Sequence, residues 1–153
     1  MAELSRGERV QRALVALFDE PSKPKGLTVH RNPGVPIPSD DLPALVLMWV
    51  PGEEEEVTRL DHGGALQRRL PLRAEIRAGS ADTELLNDQV DEIYVWTVTQ
   101  VAKDRTLGGL TFDIEEVAGT REVAQADETY IARGVHLSVT YLTDADDPTE
   151  GVT

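Results

Sequence analysis

The sequence predicts an α+β domain, a mainly antiparallel or mixed β-sheet packed by two principal helices in a single domain. Three observations lead there. Two segments carry apolar residues at helical spacing, and several others alternate apolar and polar residues at the period of a strand. The elements run helix, four strands, helix, two strands, and runs of strands separated by single helices belong to α+β folds. The length of 153 residues suits one domain, and no repeat or domain boundary interrupts it.

The first helix is expected over residues 6–18. Ser5 and Glu8 have the spacing of a capping box, Val10, Leu14, Leu17 and Phe18 make one stripe, and Pro21 and Pro24 end the helix. A short strand over 27–31 is broken by Asn32-Pro33-Gly34. Residues 44–50 are continuously apolar, which predicts a strand buried on both faces. Pro51-Gly52 and Glu53, Glu54, Glu55 and Glu56 then form a turn with an acid-rich tip. Strand resumes over 57–61, and His62-Gly63-Gly64 turns the chain.

Over 66–78, Leu66, Leu70, Leu72, Ala74 and Ile76 face one way, and Gln67, Arg69, Arg73, Glu75 and Arg77 the other. Pro71 on the polar face suggests an edge strand or a bulge. The second helix starts at Asp82 as N-cap and carries Leu86, Val90, Ile93, Thr97 and Val101 on one face. Acids fill its first half and Lys103 lies near its end, as the helix dipole favours. A strand over 111–117, a polar connection over 118–128 and a last strand over 129–143 complete a domain spanning 1–143. Residues 144–153 have the composition of an acidic flexible tail.

Composition narrows the function. The net charge of −13 argues against nucleic-acid binding, which needs phosphates neutralised by Lys and Arg. Acidity ordinarily confers solubility; its functional reading is a surface that faces DNA without binding it. With no cysteine, disulfides and thiolate metal sites are excluded. The first six residues lack the layout of a signal peptide, and a seven-residue apolar run is too short to cross a bilayer. A soluble intracellular product with no membrane partner is expected.

No nucleophile, base and orienting group can be nominated as a catalytic set, and no cofactor is indicated. His30, His62 and His136 lack zinc spacing; His30 and His136 read as solvated strand residues and His62 as part of a turn. Gly108-Gly109 lacks the lysine and spacing of a phosphate loop, and there is no Gly-x-Ser-x-Gly elbow. Asp144-Ala145-Asp146-Asp147 opens like a calcium loop, then lacks its glycine and its bidentate glutamate. Glu53 to Glu56 could collect cations, although a solvated hairpin tip is the ordinary reading. Arg69, Arg73 and Arg77 recur every fourth residue on one strand face. They are either a wet outer face or an interface for the acidic turn of a neighbouring copy.

Two segments carry a family resemblance. After the second helix comes Asp104-Arg105-Thr106-Leu107-Gly108-Gly109-Leu110, and in the last strand Tyr130-Ile131-Ala132-Arg133 leads to Leu137-Ser138-Val139-Thr140-Tyr141-Leu142-Thr143. With the order of elements, they resemble the tail-terminator (minor tail) proteins of long-tailed phages. The resemblance implies a structural virion protein of the tail, assembled in the host cytoplasm. It would form a hexameric ring, a homo-oligomer, on the last ring of the tail-tube protein. There it would stop tube polymerisation and present a surface to a head-completion or connector protein. DNA would pass through the lumen without specific binding, past the charge of six acidic copies. The candidate subunit or tube interface is then Arg69, Arg73 and Arg77, Glu53 to Glu56, and Leu107, Gly108 and Gly109. A head–tail connector or neck ring protein, and a small ligand-binding or hydrolytic domain, are the alternatives.

Overall fold

A computed structural model describes residues 3–32, 36–50, 52–60, 64–125 and 129–150. Pro33-Gly34, Pro51, His62-Gly63 and the last three residues of the expected tail lie outside them. Helix α1 (Arg6–Phe18) starts where Ser5 Oγ accepts the Glu8 N–H at 3.2 Å. Strand β1 (Thr28–Arg31) follows, then β2 (Ala44–Trp49), β3 (Glu56–Arg59) and β4 (Ala65–Ser80). Helix α2 (Thr83–Lys103) is capped by Asp82, whose Oδ1 accepts the N–H groups of Glu84 and Leu85. Strands β5 (Asp113–Gln125) and β6 (Thr129–Asp144) close the chain. The protein is a single compact α+β domain with a six-stranded mixed sheet, as its periodicities predict.

The sheet order is β1-β2-β4-β6-β5, with β3 beside β4 further along the same side as β2. Only β1 and β2 are parallel; the other pairs are antiparallel. Both helices bury their stripes on one sheet face. Val10, Leu14 and Phe18 of α1 and Leu86, Val90 and Ile93 of α2 join Leu45, Leu47, Leu72, Ile76, Ile114 and Val139 in one cluster. In β2 the first four residues are buried on both faces, as its unbroken apolar run predicts.

Pro71 does not mark an outer edge, because β4 is central. It sits where the neighbour on one side changes: β2 pairs with 72–77 and β3 with 66–69. The Pro71 carbonyl accepts the Val50 N–H at 3.2 Å. In an extended strand N–H and C=O of one residue point the same way, so the missing Pro71 donor faces Val50, whose carbonyl instead accepts the Glu53 N–H at 3.2 Å.

Two further expectations are corrected. Of the polar connection expected over 118–128, residues 118–125 are strand, paired with β6 from Ala118↔His136 to Gln125↔Thr129; residues 126–128 are outside the described set. Residues 115–124 are exposed, so no buried face imposed an alternation on the sequence; the main chain of β6 supplies the order. The segment expected as a flexible tail is held as far as Glu150. Pro148 O accepts the Arg6 N–H at 2.9 Å, Thr149 O accepts from the Arg9 guanidinium, and Glu150 O accepts the Asp144 N–H at 3.1 Å. Among the described residues no helix is long and apolar enough to cross a membrane.

Candidate functional site

The arginine stripe lies on the sheet face away from the helices, and it is not a row of unpaired cations. Glu75 stands between Arg73 and Arg77 and is only 9% exposed. Its carboxylate meets Arg73 Nη2 at 2.7 Å and Arg77 Nε at 2.6 Å. A buried carboxylate needs such partners, and the alternation of β4 supplies them two residues to either side. Arg73 also lies over Gly134, where a Cβ would come within 2.9 Å of Arg73 Cδ. Arg69 is more exposed and pairs with Glu56 at 3.5 Å, because β3 and β4 set Glu56 opposite Arg69.

The glutamate tract divides in two. Glu55 accepts the Tyr141 hydroxyl at 2.5 Å and lies 3.7 Å from Arg68. Burial first, and this bond second, push the Tyr141 phenol well above its ordinary range. Glu53 and Glu54 are exposed and border a cavity of about 270 Å³ with Glu56, Arg69 and His136. Nε2 of His136 is buried there without a hydrogen-bond partner. Among the described residues no three His, Asp or Glu side chains gather as a metal site.

Leu107, Gly108 and Gly109 form a turn in the left-handed region, with φ of 46°, 67° and 99°. Glycine suits the last two positions, while Leu107 is anchored by its buried side chain. Arg6 at the start of α1 donates to Gly109 O at 2.8 Å and Leu110 O at 3.0 Å. This turn joins the helix layer to β5. The structure therefore brings Arg69 and Glu56 together within one chain, sets Arg73 and Arg77 on Glu75, and places Leu107–Gly109 elsewhere.

Sequence reasoning missed Glu75 as a partner and β5 as an edge. Alternation put Glu75 beside the arginines, and a carboxylate flanked by two guanidiniums at i±2 was the available signal. On the other face α2 is tied to the last two strands. Arg133 stacks on the Tyr94 ring at 3.6 Å and reaches Asp91 at 3.3 Å, and Tyr94 donates to Glu116 at 2.8 Å. That bond to Glu116 raises the Tyr94 pKa. No family model and no curated protein matches this chain. Fold and surface together define an α+β domain with helices on one sheet face and charged side chains on the other.

Proposed function

We propose that this protein is a structural ring subunit of the tail-terminator kind, which caps a phage tail tube and carries out no covalent chemistry. One observation carries the reading. Parts of the segments on which the family resemblance rests, 106–110 and 137–143, meet at one corner of the fold. The Phe112 N–H, just beyond the Leu-Gly-Gly turn, donates to Thr140 O at 2.7 Å. Arg6 fastens the same turn to α1, and the Tyr141 hydroxyl lies beneath Gly7 of that helix. Segments far apart in sequence thus form one unit. The net charge of −13 per copy further suits a lumen through which DNA passes without adhering.

The interface expected from sequence needs revision within this proposal. Arg69 and Glu56 already meet in one chain, so they are poor candidates for joining two. The test is negative-stain microscopy of the purified protein, alone and added to growing tubes of a phage tail-tube protein. Closed rings and shortened, capped tubes are expected. Tubes that grow to the same length with and without the protein would sink the reading.

A further inference from the structure

We infer that copies of this chain join edge to edge through their sheets, the β5 edge of one copy pairing with the β1 edge of the next. The inference rests on the ring reading above and names the contact that builds it.

Strand β5 is 13 residues long, and among the described residues no strand pairs with its outer edge. Exposed edges are commonly blunted by Lys, Pro, other charged side chains or a bulge. Strand β5 has neither Lys nor Pro, and Val117 and Val123 are 59% and 54% exposed on it. Its defences are the bulge between Glu116 and Ala118 and a net negative charge, which repels a like edge and not a basic one. Such an edge is a template for another strand.

Three arguments select β1 of a second copy as the occupant. The first is position: β1 is the opposite outer edge, so joining the two extends the same sheet and leaves a new β5 edge for the next copy. A heterologous contact of this form closes into a ring when the rotation allows. The second is direction. Strand β1 runs with β2 and against β4, whereas β5 runs against β6 and so with β4. A sheet continued by rotation from copy to copy therefore meets antiparallel. The third is charge. Strand β5 holds Asp113, Glu115, Glu116 and Glu122 against Arg121 alone, whereas β1 ends in Arg31 and follows Lys25. Pairing β5 with itself would set this net negative charge against its copy. Arg31 meets Glu8 at 2.8 Å within its own chain, so what counts here is net charge: β1 carries no acid to repel the β5 edge. Four residues of β1 give a weak contact, which closure of a ring repeats.

The absence of native cysteine makes the test direct. His30→Cys is combined in turn with Glu115→Cys, Ala118→Cys, Thr120→Cys or Glu122→Cys, all on the sheet face away from the helices. The two edges of one chain lie four strand spacings apart, about 19 Å, beyond the reach of a disulfide, so any bridge joins two chains. At least one double variant should give an oxidised ladder reaching a closed oligomer, with each single variant giving none. Rings by microscopy without a ladder in any double variant would overturn the edge junction and leave the ring reading standing. Dimers from β5 single variants would overturn it in favour of β5 self-pairing. A ladder without closed rings would support the junction and count against the ring. Neither ladder nor rings would remove both.

Discussion

A Cβ on Gly7 would stand 2.6 Å from the hydroxyl oxygen of Tyr141, so the first turn of α1 rests on the last strand. That hydroxyl is fixed by its bond to Glu55, and the tyrosine is buried. Replacing helical glycine by alanine ordinarily stabilises by up to ~1 kcal/mol. Here Gly7→Ala should instead destabilise by about 1–3 kcal/mol through overpacking. Tyr141→Phe removes the atom in the way, so Gly7→Ala should cost less in that background. A double-mutant cycle by urea denaturation checks this, and strict additivity would remove the contact as the cause.

Glu8 gives a pH dependence with a defined sign. A hydrogen bond from Arg31 leads the causes that hold its carboxyl below the ordinary glutamate range. A folded-state pKa that is depressed contributes stability above the unfolded value, about 4.3, and that contribution fades as pH falls through the folded value. The pair is part-exposed, so the effect is under ~1 kcal/mol. Wild type should exceed Glu8→Gln at pH 7, and the gap should close below pH 4; a constant gap would show another cause.

Helices and most strands were legible because each buries a stripe or alternates. Ser5 and Asp82 mark helix starts, and Val10, Leu14, Phe18, Leu86, Val90 and Ile93 fall on buried faces. The strand part of β5 from Ala118 onward was hidden because its order comes from β6 and not from a buried face of its own. The arginine and glutamate sets were legible as patches, but their partners were not. Register decides whether Arg69 faces Glu56 of its own chain or another's, and register depends on the turn between β3 and β4. Glu75 was hidden differently, since one carboxylate on a polar face looks solvated until two arginines close over it.

The C-terminal segment supplies acceptors to α1. The Arg6 N–H is among the helix donors that have no partner within the helix, and Pro148 O provides one. Ending the chain after Asp146 should cost about 1 kcal/mol and lower Tm by ~2–4 °C. Amide exchange should quicken in the first turn of α1 and not in α2. An unchanged melting curve and exchange pattern would show that these bonds add nothing to stability.

The last prediction concerns Arg73, Glu75 and Arg77. Reversing both arginines to Glu does not probe a charged interface alone, because the structure gives those guanidiniums a task inside the monomer. They hold a carboxylate that is 9% exposed, and their own side chains are 20% and 32% exposed. Removing the partners of a buried charge costs about 3–5 kcal/mol, and the exposure here reduces that to ~2–4 kcal/mol. Arg73→Glu with Arg77→Glu should therefore destabilise the isolated domain by at least that amount, with three carboxylates crowded on one strand face. Arg73→Met, Glu75→Leu and Arg77→Met together should stay closer to wild type, because no buried charge is left unpaired. Urea denaturation of the two variants at pH 7 decides the matter. If the charge-reversed domain is as stable as wild type, Glu75 does not depend on the arginines, and they remain available to meet a partner. If only the charge-reversed domain loses stability, any loss of assembly in it reflects the fold and says nothing about an arginine interface.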